Sequence, residues 1–326
     1  MTHPEIISIG EALIDFIAEQ PGSLLSTETF TKSPGGAPAN VAVGLARLGV
    51  KVGFIGKVGD DPFGKFLVNK LEKEKVLTQG AIRSSKRELT SLAFVSLNEE
   101  GERDFFFYRA NAADLKLQPD EIDPHFFSQI KFLCFGSLSL STEPSRSAIF
   151  KAIKECKKNG GKVCFDPNIR LDIWEDKSNF IKIVKEALKH TEIFLPSQEE
   201  LYYLNFSLTS QPNRIDEQII EHFCENFPLE TLVIKKGKAG CSIKTKKKLE
   251  HIPGFKVKVI DTTGAGDGFN AGFLFGLLLE KTLEEAALLG NAVGALVVQK
   301  KGAMTALPTK EELKIFLKNH KIDIEI

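Results

Sequence analysis

Phe132-Leu133-Cys134-Phe135, a helical stretch over Ser145–Asn159, the stop Asn159-Gly160-Gly161 and then Lys162-Val163-Cys164-Phe165-Asp166 decide the fold of this chain. Each apolar run is short and bounded by turn residues, as expected of a strand buried on both faces. The helix between them, closed by glycines, supplies the crossover that parallel strands require. The same rhythm extends in both directions. Strands are expected at Glu5–Ile9, Val52–Val58, Glu192–Leu195 and Thr231–Lys235. Helices are expected at Ala39–Leu48, Phe63–Glu74, Asn179–Lys189, Glu199–Leu204, Ile215–Asn226, Gly268–Leu279, Leu283–Gln299 and Lys310–Asn319. Strands alternating with helices predict an α/β fold around a mostly parallel sheet. No repeat or low-complexity linker interrupts it, so residues 1–326 are read as one domain.

Two stretches break the rhythm. Residues 12–33 hold two short alternating runs around Pro21-Gly22, and residues 90–109 read as a β-hairpin turning at Glu99-Glu100-Gly101. Neither has a covering helix nearby in sequence. They are expected to pair as a small separate sheet, a lid over the ends of the main one. Its apolar face, rich in aromatics at Phe105–Tyr108, would need a partner, which predicts a homodimer.

Gross composition excludes several classes. Lys plus Arg and Asp plus Glu both total 43, so no basic surplus points to nucleic acid. The run Lys244–Lys248 lies between two strand-like segments and reads as a solvated hairpin tip. Five cysteines form no CxxC pair and are odd in number, which fits buried thiols in a reducing cytoplasm. The chain enters a strand at Ile6 without a signal-like segment, and its longest apolar helix, near 269–279, is too short and glycine-rich to span a bilayer.

Chemistry concentrates in Asp261-Thr262-Thr263-Gly264-Ala265-Gly266-Asp267-Gly268-Phe269. Small residues at the mouth of an apolar helix let unpaired N–H groups approach an anion closely. Asp267 is a poor choice for phosphate binding alone, because its carboxylate repels an anion. It fits a base that takes a proton from an attacking hydroxyl. A second string, Ser33-Pro34-Gly35-Gly36-Ala37-Pro38-Ala39-Asn40, also opens a helix, and Asn40 offers both a donor and an acceptor to a polyol. No Gly-x-x-x-x-Gly-Lys-Ser/Thr loop is present, nor a Gly-x-Gly-x-x-Gly after the first strand, which removes P-loop and Rossmann readings.

Together, in this order and more than 220 residues apart, the two strings resemble the signatures of the PfkB (ribokinase-like) carbohydrate kinases, over essentially the whole chain. The resemblance implies a three-layer αβα domain with a β-sheet lid. It implies Asp267 as catalytic base, with the amides of Gly264, Ala265 and Gly266 as anion hole. Asp15, Gly35, Gly36 and Asn40 would hold the sugar. Phe107-Tyr108-Arg109 with Asp114, and Asp166-Pro167-Asn168-Ile169-Arg170 with Trp174, look most like fructokinases and add Tyr108, Arg109 and Arg170 to the sugar site. Lys235, Gly237, Gly240 and Asn291 resemble the ATP side. Family members often carry Asn-x-x-Glu near mid-chain, tied to Mg2+; here the stretch is Ser197-Gln198-Glu199-Glu200, which keeps Glu200 as an indirect Mg2+ residue and replaces the Asn. A K+ site is implied through backbone oxygens of Asp261, Thr263, Val297, Lys300 and Gly302. ATP, Mg2+ and a sugar are thus the expected small-molecule partners. A sugar-acid kinase such as a 2-keto-3-deoxygluconate kinase remains open, since two arginines would also suit a carboxylate, as does another PfkB sugar kinase. So does a non-catalytic sugar sensor on the same scaffold, although a sensor has no need of Asp267.

Overall fold

The computed structural model describes residues 3–84, 87–97, 103–174, 176–209 and 217–326. Among them the strands and helices run β1 (Ile6–Ile9), β2 (Leu13–Ala18), β3 (Phe30–Gly35), α1 (Ala37–Arg47), β4 (Val52–Val58), α2 (Pro62–Lys73), β5 (Leu77–Arg83), β6 (Leu92–Leu97), β7 (Arg103–Tyr108), β8 (Phe132–Phe135), α3 (Ser145–Lys158), β9 (Lys162–Phe165) and α4 (Lys177–Leu188). There follow β10 (Ile193–Phe194), α5 (Gln198–Thr209), α6 (Glu217–Asn226), β11 (Thr231–Lys235), β12 (Cys241–Lys244), β13 (Leu249–Ile252), α7 (Ala265–Leu278), α8 (Leu283–Val297) and α9 (Lys310–Asn319).

The main sheet has the order β13-β12-β11-β10-β9-β8-β1-β4-β5. It is parallel from β5 to β11, and β12 and β13 add an antiparallel edge. Alternate residues of its strands feed two cores. On β1, Ile6 joins the core under α1, α7, α8 and α9, while Ile7 and Ile9 join the core under α3 to α6. The expected strand at Phe132–Phe135, helix from Ser145 and strand from Lys162 are all present, and Lys244–Lys248 does join two strands. Strand β5 at the far edge was not anticipated. Its Leu77-Thr78-Gln79-Gly80 lacks the apolar run of its neighbours, and it is only partly buried.

The lid is a second sheet of order β3-β2-β6-β7. The turn expected at Glu99-Glu100-Gly101 and the helix start expected at Ile215 lie outside the described residues. Cross-strand register sorts the lid's faces. Asp15 pairs with Ala93 and Ala93 with Phe107, while Phe16 pairs with Phe94 and Phe94 with Phe106. Asp15, Phe105 and Phe107 therefore share one face, and Phe16, Phe94, Phe106 and Tyr108 the other.

Helix α7 explains why the apolar string 269–279 packs as it does. Gly268, Gly272 and Gly276 recur every four residues. A Cβ on them would come within 2.8 Å of Val297, 2.6 Å of the Leu289 carbonyl and 2.6 Å of Ala286. The glycine ridge lets α8 lie close against α7 and pins the start of α7 at the C-terminal edge of the sheet. That edge is where open α/β sheets bind ligands.

Candidate functional site

Gly264 caps α7 in the left-handed region, φ 74°, where a side chain would be strained and its Cβ would also meet Ala303 at 2.8 Å. The helix begins earlier than expected from sequence, at Ala265, so Gly266 and Asp267 belong to its first turn. The first intrahelical bond runs from Gly268 N to the Gly264 carbonyl at 2.8 Å. Ala265 N makes a long 3.3 Å bond to the Thr262 carbonyl. The amides of the first turn thus face the loop with no helical carbonyl to receive them.

Two cavities meet there. One is a polar cleft of about 610 Å³ between the lid and the sheet, whose walls include Glu11, Asp15, Gly36, Asn40, Phe105, Phe107, Asp166, Arg170, Glu200 and Asp267. The other is a larger, more apolar groove of about 910 Å³ lined by Phe255, Val257, Val259, Phe269, Ala295 and Val298, with Gly240 and Asn291. Lys235, Gly237, Thr262, Ala265 and Gly266 line both, and Asp267 lines only the cleft.

Within the cleft, Asn40 Nδ2 donates to Asp267 Oδ2 at 2.8 Å across 227 positions of sequence. Burial pushes the Asp267 carboxyl up to about 6; the Asn40 hydrogen bond draws it down, Asp166 raises it, and Lys235 and Arg170 lower it. A carboxylate with that value is ionised at neutral pH and basic enough to accept a proton. Asp166, at the end of β9, accepts from Lys235 Nζ and Asn270 Nδ2, both at 2.5 Å. Burial alone would lower the Lys235 ammonium, but Asp166 and Glu200 hold it above its ordinary value. Lys235 therefore stands charged at the junction.

Ser197 and Glu200 form a reciprocal cap on α5. Glu200 N donates to Ser197 Oγ at 3.1 Å, and Ser197 N donates to Glu200 Oε2 at 2.7 Å. Glu200 Oε1 also accepts from Ile169 N at 2.7 Å, and burial, then Asp166, raise its pKa. Serine in place of the family's Asn is thus accounted for as a helix cap. No group of three or more His, Cys, Asp or Glu suited to a metal occurs among the described residues. Asp166 and Glu200 in the cleft wall fit an ion carried mainly by phosphate and water, not one caged by protein.

Glycine is needed at two sugar-side positions. A Cβ on Gly35 would lie 2.1 Å from Asp15 Oδ2, and one on Gly36, at φ 98°, 2.4 Å from the Glu11 carbonyl. Asp15 projects from the cleft face of β2. Arg170 reaches the cleft with its guanidinium 5.3 Å from the Phe105 ring. Two expected sugar residues are not brought there. Tyr108, 62% exposed, belongs to the opposite lid face, packed on Phe94 and Phe106. Arg109 is buried behind the cleft wall, with Nε 2.8 Å and Nη2 2.5 Å from Asp114 Oδ2, and Nη1 donating to the Leu138 carbonyl.

Sequence reasoning missed Asp166, Glu11, Phe105 and Phe107. Asp166 had a usable signal, an acid ending a buried strand at the ligand-binding edge. The two phenylalanines had none, because four consecutive aromatics leave the parity of the strand undecided. On the groove side, Asn291 Nδ2 donates to the Ile252 and Pro253 carbonyls, so its amide braces the wall. Segment 260–263 is laced to segment 297–302. Ile260 N and Asp261 N donate to the Val298 carbonyl, Lys300 N to the Val297 carbonyl, and Gly302 N to Asp261 Oδ2 at 2.8 Å, while Thr263 N and Oγ1 donate to Asp261 Oδ1.

The model of the pfkB family carbohydrate kinases matches residues 3–310. The chain is 42% identical over 316 residues to the probable fructokinase-6, chloroplastic, of Arabidopsis thaliana, covering 94% of this chain and 81% of that protein. It is 39% identical over 322 residues to fructokinase-2 of Solanum lycopersicum, covering 96% of both. Among solved structures it is similar to fructokinase from Vibrio cholerae O395 in its fructose, ADP and calcium ion bound form, with TM-score 0.84, 36% identity, and 96% and 98% of the two chains covered. It is also similar to the ATP-bound fructokinase from Xylella fastidiosa, with TM-score 0.86, 31% identity, and 97% and 98% covered.

Proposed function

The chain belongs to the pfkB family of carbohydrate kinases, and from that premise we propose that it is an ATP-dependent fructokinase, transferring the γ-phosphoryl group of ATP to a terminal hydroxymethyl group of D-fructose. One observation carries the reading. An apolar groove and a polar cleft share the first turn of α7, and the carboxylate able to act as base lies only on the cleft side. A nucleotide lying in the groove would point its phosphates at the Ala265 and Gly266 amides and at Lys235. A sugar in the cleft, held by Asp15, Gly36, Asn40 and Arg170, would bring its hydroxyl to Asp267.

Asp267 takes the hydroxyl proton as that oxygen attacks the γ-phosphorus in line; the bond to the β–γ bridging oxygen breaks and ADP leaves. The first-turn amides and Lys235 stabilise charge on the group in transit. Asp166 and Glu200 would hold the waters of a divalent ion brought with ATP, which would neutralise phosphate charge. Asn40 orients the Asp267 carboxylate, and the lid carries Asp15, Phe105 and Phe107 over the sugar, excluding water that would otherwise be phosphorylated.

Three finer features belong to the same reading. Carbonyls of Asp261, Thr263, Val297, Lys300 and Gly302 would hold K+ beside the anion hole; exchanging K+ for Na+ should then lower turnover. The outer lid face, with Phe106 54% exposed beside Tyr108, covers itself with a second copy; light scattering at micromolar concentration should give twice the chain mass of 36.0 kDa. The five free thiols favour a reducing, cytoplasmic setting. The deciding experiment is a coupled ADP-release assay with fructose, ribose, 2-keto-3-deoxygluconate, glucose and adenosine. Fructose should give the highest kcat/KM. Turnover that favours any other compound in that set would overturn the fructokinase reading, and no turnover with any of them would overturn the kinase reading.

A further inference from the structure

The roots of the lid converge on one buried polar cluster. The connection from β1 to β2 contributes Glu11, the segment before β6 contributes Ser91, and the segment after β7 contributes Arg109 and Asp114. Ser139, after β8, completes it. Asp114 accepts from Arg109 through Oδ2 and from Ser91 Oγ through Oδ1 at 2.5 Å. Ser139 Oγ donates to Glu11 Oε2 at 3.0 Å. Arg109 and Asp114 are both nearly solvent-free, at 6% and 3% exposed. Arg109 lies one residue behind the cleft, since Leu138, whose carbonyl it holds, and Glu11, whose carboxyl it attracts, are both cleft-wall residues.

The consequence is electrostatic. Among the described residues the cleft wall carries six acids, Glu11, Asp15, Asp166, Glu199, Glu200 and Asp267, against Arg170, Lys235 and Lys236. Lys235 is already paired with Asp166. A substrate carboxylate entering this cleft would meet a surplus of negative charge and one arginine. A neutral ketose can instead donate its hydroxyls to the same acids.

We propose that Asp114 is a specificity-determining positioning residue. By holding the Arg109 guanidinium inside the lid root it withdraws that cation from the cleft, and so turns the site toward a neutral sugar and against a sugar acid. The proposal rests on the sugar-kinase reading above and concerns which substrate class that site accepts. Glu11, which burial raises to about 7 and so leaves about half ionised near neutral pH, adds a smaller share of negative charge to the wall.

The test compares kcat/KM for fructose and for 2-keto-3-deoxygluconate in four proteins. The unaltered protein should favour fructose. Asp114→Asn leaves Arg109 uncompensated, and the fructose-to-acid ratio should fall at least tenfold, with the gain appearing as a lower KM for the acid and not as a higher kcat. Glu11→Gln, which keeps a partner for Ser139, should move the ratio the same way by a smaller factor. It covers the case in which an unpaired buried arginine unfolds the first variant. The double change Asp114→Asn with Arg109→Met removes the pair together and should return the ratio to within threefold of the starting value. The proposal is overturned by a ratio that stays within threefold in the folded single variants, or by a double variant that retains the gain on the acid. Unaltered protein that already prefers the acid would overturn the fructokinase reading as well, so the two failures are told apart by the parent enzyme alone.

Discussion

The groove and the cleft on either side of the α7 N-terminus are built from opposite materials. The groove is walled by Phe255, Val257, Val259 and Val298, and the amide of its Asn291 is turned to backbone. The cleft is crowded with ionisable side chains tied to one another over long sequence distances, Asn40 to Asp267 and Lys235 to Asp166. A groove of that kind holds a flat ring by contact and can tolerate small changes. A cleft of ionised groups at hydrogen-bond distance cannot, because moving one leaves others unpaired in a poorly solvated space. On the proposed reading, the difference separates the side that binds the nucleotide from the side that reacts.

Replacing Asp267 by Asn should have the largest effect. It preserves size and removes the base, and kcat should drop by roughly 10²–10⁴-fold, while calorimetry still detects sugar binding. Near-normal turnover would place the chemistry elsewhere and dissolve the contrast between the two sides. Next comes Gly266→Val. A Cβ at this position has Lys235 Nζ as its nearest neighbour, 3.7 Å away, so the helix can accommodate the change. The branched side chain would stand where groove and cleft join. Circular dichroism should be unaltered and phosphoryl transfer should fall by about 10²-fold or more, the scale of losing one oxyanion donor. Gly264, by contrast, has no such room, and its substitution should cost folding itself.

A third test uses pH. With Asp267 at about 6 in the free enzyme, the ionised, active form dominates above that value. kcat/KM should be flat above it and fall tenfold for each unit below it. The limb should persist in Glu11→Gln, although burial also raises Glu11, to about 7. Its loss in that variant would assign the limb to the cleft wall and not to the base. The smallest effect is expected in the groove. Val257→Ser removes part of an apolar wall worth about 1 kcal/mol, so KM for ATP should rise about fivefold with KM for fructose unchanged. An equal rise in both would mean that the two sides are not separable.

How much of this was legible depended on distance along the chain. The strand at Phe132–Phe135, helix α3 and strand β9 follow from local periodicity, and the glycine-rich turn at 264–267 from the residue types that α7 needs at its start. Strand β5 escaped because its residues are paired at an edge without being deeply buried. Tyr108 and Arg109 were expected in the cleft on motif grounds. Strand parity turned Tyr108 outward, and Asp114 took Arg109. Asp166 was within reach of sequence reasoning, since an acid that closes a buried strand already stands at the ligand edge.

What the sequence determined by itself was therefore everything set by neighbours within a few turns: the alternating α/β order, the glycine-lined start of α7, and Asp267 as its unusual acid. Tertiary structure alone decided which side chains share the cleft. Asn40 meets Asp267 and Lys235 meets Asp166 only after the parallel sheet has carried the ends of distant strands to one edge. The charge that Arg109 offers a substrate depends on the partner it finds in the folded lid root, and a cation's reach into a site is a property of its pairing and burial that no spacing of residues records.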